Sequence, residues 1–485
     1  MFELKKVYEK LNSKFKASNI LVASFFSVIL VGTILLSLPI SQVNKVSVLD
    51  AAFTSVSATC VTGLMTINNF GDLSIFGQVV VLIMIQIGGL GLMSFVSMVL
   101  MAFNNKLDYS NRSLIKDMLN RDSFEDISLF LKSIVKYTMI IELIGFVLLS
   151  TQLFDGSIYS IFQALFLSVS SFCNAGMDIL SYTSLLSYQS NVVVNFTVMS
   201  LVVLGGLGFA VWFDITRNLK ICFKMKYRFK HFISSLKPHT KIVLIMTSTL
   251  ILSGTIFTLI FEYNNALSDL DLPTKLMASL FNSVTLRTAG FYTIDNSILK
   301  DSSKIFMLIY MLIGGSPGGT AGGLKTTTLF LAIYAIYSEV NGKANMHLFN
   351  RHITKRNFIK ATTIITLYVT FVIIAMLLLT STQSFSSIDL LFEACSAIGT
   401  VGLTIGITPA LTSIGKIIIM LLMFIGRVGP VTLLLSIRNK NNENSNIKYP
   451  KTEIMVGWCY GKKTNLCSIR IRKIRFYFSE KIIRL

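Results

Sequence analysis

FTSVSATCVTG (53–63), FLSVSSFCNAG (166–176), LFNSVTLRTAG (280–290) and FEACSAIGTVG (392–402) are four versions of one segment, and each ends in glycine. Gly63, Gly176, Gly290 and Gly402 are separated by 113, 114 and 112 residues. Phe53, Phe166, Leu280 or Phe392 stands ten residues before the glycine. A constant long period means one structural unit used four times. The copies lie between long apolar runs, so they are expected to surround an axis through a membrane. The expected fold is an all-α integral membrane protein, with four tandem helix–pore helix–helix repeats around one central pore.

The composition agrees. Of 485 residues, 53% are hydrophobic and 14% charged, too few charges for a soluble chain of this length. Apolar runs at 19–40, 76–103, 130–154, 190–216, 241–262, 303–336, 360–381 and 414–437 read as eight spans of the roughly 20 residues needed to cross a bilayer. The first is as long as a full span and lacks a clear small-residue cleavage site, so it reads as a retained helix. The chain then divides into a cytoplasmic N-terminus (1–18), repeats at 19–105, 130–216, 241–336 and 360–437, and a basic cytoplasmic tail (438–485).

The net charge of +20 is unevenly spread. Residues 217–241 carry Arg217, Lys220, Lys224, Lys226, Arg228, Lys230, Lys237 and Lys241 without an acid. Lys and Arg mark cytoplasmic loops, which puts both termini and the loops near 105–130, 217–241 and 338–360 inside. Between two spans such a basic stretch reads as a loop facing the cytoplasm, not as a nucleic-acid site. Asp50, Asp72, Asp155, Asp178, Glu262, Asp269, Asp271, Asp295, Asp301 and Asp389 fall outside, against five lysines there. That excess is expected to concentrate cations modestly at the outer mouth. Cys60, Cys173 and Cys395 occupy corresponding pore segments, Cys222, Cys459 and Cys467 the cytoplasmic side, and no disulfide framework emerges. The four histidines lie in cytoplasmic loops without metal-site spacing.

Each copy contains a short segment rich in small and hydroxyl residues, at 48–59, 159–172, 272–286 and 387–398. These are too short to cross and read as re-entrant helices. Non-helical backbone at membrane depth is tolerated only in a water-filled cavity or inside protein, so the loops that follow must meet around one pore. A dehydrated cation needs a cage of oxygens, which rings of carbonyls supply. Glycine lets a carbonyl turn inward without a side-chain penalty. The candidate potassium-binding filter is Val61, Thr62 and Gly63; Asn174, Ala175 and Gly176; Thr288, Ala289 and Gly290; Thr400, Val401 and Gly402. The alternative is four glycines serving only as helix caps or packing notches.

A second register follows: IGGLG (87–91), LGGLG (204–208), IGGSPGG (313–319) and IGRVG (425–429). In the fourth copy Arg427 replaces the second glycine of the pair. Its charge below the filter would oppose a passing cation; alternatively it pairs with helix C-terminal carbonyls. The third copy cannot be one continuous helix. Gly314, Gly315, Ser316, Pro317, Gly318, Gly319, Thr320, Ala321, Gly322 and Gly323 read as an unwound loop inside the membrane, a candidate gate with Lys325 and Arg427. Leu324 between Gly323 and Lys325 breaks the spacing of a phosphate loop. Glu142 and Glu393 read either as cation sites or as structural acceptors, and Arg287 as a brace behind the filter.

With its four pore motifs, the GGSPGGTAGG break and the GRVGP segment, the chain resembles, over about 15–457, the KtrB-type membrane subunits of bacterial Ktr potassium uptake systems in the Trk/Ktr/HKT superfamily. Related TrkH subunits carry two further helices before the first repeat, and the short N-terminus here favours Ktr. The resemblance implies a filter at the four glycines, a gating loop at 314–323 and a pore-facing Arg427. It implies potassium as transported ion with sodium dependence possible, and no cofactor bound by this chain. It also implies a multi-pass protein of the bacterial cell membrane. The expected assembly is a homodimer on a cytoplasmic KtrA-type ring that binds ATP or ADP. Membrane lipid is an expected partner; nucleic acid is not. Related proteins with serine in the first filter position lean toward sodium, so Gly63 fits potassium.

One segment departs from the family. Members usually stop soon after a stretch like YPKTEIMVG (449–457), whereas residues 458–485 extend this chain with basic and apolar residues. The extension could lie on anionic lipid, reach the ring, or have no role. A sodium-coupled secondary transporter is the alternative function, but inverted repeats would favour that, and these repeats share one orientation. No catalytic constellation points to an enzyme.

Overall fold

The structure is a computed structural model that describes residues 17–67, 70–91, 127–180, 184–225, 229–342, 347–349 and 351–437. The N-terminal segment before Ala17, most of the loop expected at 105–130 and the tail 438–485, with Cys459 and Cys467, lie outside the described residues.

Helix dominates. Repeat 1 comprises α1 (Ala17–Ser37), α2 (Val48–Cys60) and α3 (Ile75–Leu90). Repeat 2 comprises α4 (Ile127–Leu153), α5 (Ile158–Cys173), α6 (Val192–Gly206) and α7 (Phe209–Met225), and α8 (Phe229–Ser235) follows. Repeat 3 comprises α9 (Pro238–Glu262), α10 (Leu272–Thr285), α11 (Asp301–Leu312) and α12 (Thr326–Val340). A small hairpin, β1 (His347–Leu348) with β2 (Arg351–His352), precedes repeat 4, which comprises α13 (Lys355–Thr382), α14 (Ser387–Gly399), α15 (Ser413–Val428) and α16 (Pro430–Ile437).

The starts of the short helices follow from capping chemistry. Ser47 and Ser157 accept the backbone N–H three residues on, at Asp50 and Ser160, and Pro273 stands in the first turn of α10. Each short helix packs on the long helix before it: α2 on α1, α5 on α4, α10 on α9, α14 on α13. Serine hydroxyls fix three of these pairs. Ser55, Ser168 and Ser283 each donate to a backbone carbonyl of the long helix (Ile29, Glu142 and Ile251), all at 2.7 Å. Gly32, Gly145 and Gly254 make room for those serines, since a Cβ at any of them would collide with the hydroxyl.

The repeats then join head to tail. α3 packs on α5, α6 on α10, α11 on α14, and α15 on α2. The last contact returns to the first repeat, so the order closes. Two core clusters cross this ring. One joins repeats 1 and 2 with Phe281, Val284 and Phe291 of repeat 3; the other joins repeats 3 and 4 with Ile29, Phe53 and Leu64 of repeat 1. The outer helices instead expose apolar side chains, such as Phe26, Ile34, Leu143, Val147, Leu252, Ile256, Ile373 and Leu377. An apolar belt of this kind fits lipid, not water.

Two expectations need correction. Among the described residues, four helices, α1, α4, α9 and α13, are long and apolar enough to cross a membrane by themselves, and the number rises to six if each bent pair counts as one span. The spans expected at 190–216 and 414–437 are bent pairs, α6 with α7 and α15 with α16, each turned by 95°. The break expected only in repeat 3 therefore recurs in repeats 2 and 4. Gly208 (φ +92°) and Gly429 (φ +89°) adopt left-handed backbone there, and Pro430 opens the next helix. In repeat 1, α3 stops at Gly91 (φ +78°), and the remainder of the span expected to 103 lies outside the described residues. The second correction concerns register. In repeat 3 Phe281, not Leu280, is the buried counterpart of Phe53, Phe166 and Phe392. Ser283 and Thr285 show the same one-residue offset against Ser55 and Ser57.

Candidate ion-conduction site

The short helices end in one geometry. Val61, Asn174 and Thr400 cap α2, α5 and α14 in the left-handed region (φ 56°, 59° and 51°). The next N–H reaches back to Ser57, Ser170 or Ser396 O at 2.8 Å, as in a Schellman cap. In repeat 3 the left-handed residue is Thr288 (φ 69°), and Ala289 N donates to Thr285 O at 2.9 Å. Such caps usually carry glycine. Valine and threonine there cost about 1–2 kcal/mol each, strain that persists only when the surroundings impose it. Two residues further, Gly63, Gly176, Gly290 and Gly402 return to positive φ (99°, 67°, 82° and 92°).

Hydroxyls brace these turns. Ser57 Oγ accepts Gly63 N (3.0 Å) and Ser396 Oγ accepts Gly402 N (3.1 Å). Ser170 Oγ donates to Met177 O (2.6 Å), and Thr285 Oγ1 donates to Phe291 O (2.5 Å). These four residues are part of the site although no role was expected for them. Their signal was a hydroxyl six residues before three of the glycines and five before Gly290.

The four turns meet. A Cβ on Gly63 would lie 2.5 Å from Ala175 O, one on Gly176 2.7 Å from Ala289 O, and one on Gly290 2.6 Å from Val401 O. One on Gly402 would overlap Thr62 O, which closes the ring. Backbone thus faces backbone around an axis, and the four short helices direct the negative ends of their dipoles toward it. Thr62, Thr288 and Thr400 Oγ1 are buried without a partner among the described residues.

The glycine-rich segment lies directly beneath this ring. It loops out between α11 and α12, and its neck is closed by Gly314 N to Leu324 O (2.8 Å) and Leu324 N to Leu312 O (3.1 Å). Gly322 presses on the Thr400 hydroxyl, where a Cβ would overlap it. Ser316 N and Thr320 N donate to Gly206 O (2.9 Å) and Gly205 O (3.2 Å) at the end of α6. Phe209 N donates to Gly318 O (2.9 Å), and Thr326 N to Gly315 O (3.0 Å). Thr320 Oγ1 donates to Phe172 O (3.1 Å) beside Asn174. Gly319 packs on Gly208, Ala321 meets Gly315, Pro317 O faces Gly208, and Gly323 (φ +62°) lies against Gly399 O. Lys325 Nζ folds back on Ala321 O (2.7 Å) and fixes the loop's exit. Arg427 donates through its two terminal nitrogens to Thr320 O and to Gly88 O, tying the loop to the end of α3. Its partners are both backbone carbonyls, one in the glycine-rich loop and one at the end of α3.

The two acids separate. Glu393 is fully buried and accepts from Thr404 Oγ1, Thr408 Oγ1 (2.8 Å) and Ile405 N (3.3 Å), so it anchors the chain leaving the Gly402 turn. Glu142 is buried beside Gln86, whose Nε2 donates to Oε2 (3.3 Å), while Oε1 has no partner among the described residues. Arg287 is buried and precedes the left-handed Thr288 in the chain. Cys60, Cys173 and Cys395 are buried free thiols.

Among the ten acids expected at the outer mouth, Asp50, Asp389 and Glu262 have specific partners. Asp50 pairs with Lys416 (2.7 Å) and Asp389 with Lys304 (3.3 Å). Glu262 is fully buried, accepting from Ser303 Oγ, Asn265 Nδ2 (2.6 Å) and Lys300 N (3.2 Å). These three carboxylates tie neighbouring segments together.

Residues 4–449 match the family model described as TrkH, cation transport protein. The chain is 37% identical to Ktr system potassium uptake protein B of Bacillus subtilis (strain 168), over 92% of this chain and 97% of that one. It is equally 37% identical to potassium/sodium uptake protein NtpJ of Enterococcus hirae, over 93% and 99%. Among solved structures, the potassium transporter TrkH from Vibrio parahaemolyticus shares the fold, with a TM-score of 0.67 at 16% identity over 86% of this chain and 83% of that one. The ring of four backbone turns, the loop beneath it and these matches together show that the chain belongs to the TrkH family of cation transport proteins, membrane transporters and not enzymes.

Proposed function

We propose that the protein takes up potassium through a gated transmembrane pore. The filter is 61–63, 174–176, 288–290 and 400–402, and the gate is the loop 314–323 with Lys325 and Arg427. The observation that carries this is the closed ring of four glycine turns, each backed by a hydroxyl and each at the end of a short helix. A cation stripped of water needs such a crowd of oxygens, and strained backbone held by its surroundings is a mark of function. Potassium is favoured over other cations because relatives 37% identical carry that ion in their names. The gate reading is supported by the loop's position under the ring and by its hydrogen bonds to Gly88, Gly205 and Gly206 through Arg427 and its own amides.

The same reading puts the protein in a bacterial cell membrane with both termini cytoplasmic, as a homodimer on a nucleotide-binding ring of the KtrA type. Sodium modulates flux, in line with the name of the NtpJ relative. That name also favours a second reading, sodium-coupled potassium transport by alternating access. Gly402→Ser tests the filter. A side chain at φ +92° against Thr62 O must displace the turn, so potassium preference over sodium should fall at least tenfold in competition uptake. Unchanged preference in folded protein would remove Gly402 from the filter.

A further inference from the structure

The basic segment that begins at Arg217 has no part in the filter or the gate. In the structure its first residues form the second half of α7, turned 95° from α6. The 15 residues of α6 descend about 22 Å of a hydrocarbon core of about 30 Å. In the orientation proposed above, α6 ends in the cytoplasmic half of the membrane, near its boundary with water, and α7 turns aside there.

The first half of α7 is committed to protein. Val211 is fully buried. Asp214, 5% exposed, accepts from Lys237 N (2.9 Å) and Thr240 Oγ1 (2.6 Å) at the start of α9. Thr216 Oγ1 meets Tyr137 OH of α4 (2.9 Å). The second half instead carries a strip of exposed cations, Arg217, Lys220 and Lys224, one helical turn apart. Ile221, Phe223 and Met225 flank it with 44%, 80% and 58% of their surface exposed. The one acid of α7, Asp214, is buried and occupied. A basic strip flanked by exposed apolar side chains on a helix lying in the boundary suits an anionic lipid surface. The other end of α7 touches the loop: Phe209 N donates to Gly318 O, and Gly208 abuts Pro317 O.

We propose that α7 is a lipid-seated brace on the gate. Anionic headgroups of the cytoplasmic leaflet bind Arg217, Lys220 and Lys224, and the Phe209–Gly318 hydrogen bond carries that restraint to the loop. The proposal rests on the gate reading above. Anionic lipid then lowers resting flux, because it holds α7, and with it Gly318, in the position seen here.

The test uses the full-length chain in phosphatidylcholine vesicles with and without phosphatidylglycerol, reading potassium flux and bound phosphatidylglycerol by native mass spectrometry. Wild-type flux should be severalfold lower with phosphatidylglycerol. The triple variant R217Q/K220Q/K224Q should bind that lipid on the order of tenfold more weakly and lose the response, while R217K/K220R/K224R keeps both. Phe209→Pro lacks the N–H at a helix position that tolerates proline, and should bind lipid yet fail to respond; Phe209→Ala, with its N–H intact, should respond. A full lipid response in the triple variant, or in Phe209→Pro, overturns the proposal. So does a triple variant that loses a cytoplasmic protein partner but keeps lipid binding. The gate reading fails separately, if deletion of 316–321 leaves resting flux unchanged.

Discussion

Ser57, Ser170, Thr285 and Ser396 decide how firmly each turn is held. Each satisfies a backbone group of a strained turn that has no water to turn to. Ser396→Ala leaves Gly402 N without its acceptor, a loss of about 1–3 kcal/mol. The expected result is a lower melting temperature together with weaker potassium preference, read by thermal unfolding and competition uptake; a drop in one without the other would separate bracing from selectivity. Glu393 acts at the same scale through three donors. Glu393→Leu strands Thr404, Thr408 and Ile405 N, and should destabilise by about 3 kcal/mol, whereas a cation-binding role predicts lost flux at unchanged stability. The four glycines were legible in the sequence because left-handed backbone recurs at a fixed period. Their hydroxyl braces were not, because every pore segment holds several serines and threonines, and spacing alone does not say which faces the turn. The one-residue offset in repeat 3 was hidden because Leu280 and Phe281 are both apolar.

At the scale of elements, breaks govern the lower half of the molecule. The break at 314–323 was evident from its glycines and proline, which no helix tolerates. Those at Gly208 and Gly429 were not, since apolar sequence continues across them and the glycines there are far fewer than in 314–323. Only the folded chain shows that Gly208 is left-handed and that a Cβ there would lie 2.7 Å from Pro317 O. Gly208→Ala should cost about 1–2 kcal/mol in the backbone and push the loop aside. Raised resting flux is the expected outcome; flux at the wild-type level would mean that this contact does not restrain the loop. Arg427→Gln removes a charged donor that bridges Thr320 O and Gly88 O. It too should raise resting flux severalfold, measured without any activating partner. The sequence marked Arg427 but could not name its partners, because they are main-chain carbonyls.

For the whole molecule, the question is closure. Repeat 4 meets repeat 1 through α15 on α2, and Lys416 reaches Asp50 at 2.7 Å with little of either side chain exposed. Lys416→Met should loosen the seam by about 1 kcal/mol and lower the melting temperature with the fold intact. Three nearly equal intervals mark four copies of one unit, so the repeat architecture was readable from Gly63, Gly176, Gly290 and Gly402 alone; the pairing of outer acids with Lys304 and Lys416 was not, because those partners are remote in sequence. The central claim is that this ring is a potassium pore. Uptake into proteoliposomes holding the purified chain, with an imposed potential and each ion alone, tests it most directly. The account predicts potential-driven potassium flux in the absence of sodium. Potassium flux that requires sodium, with sodium entering in fixed proportion, would contradict it.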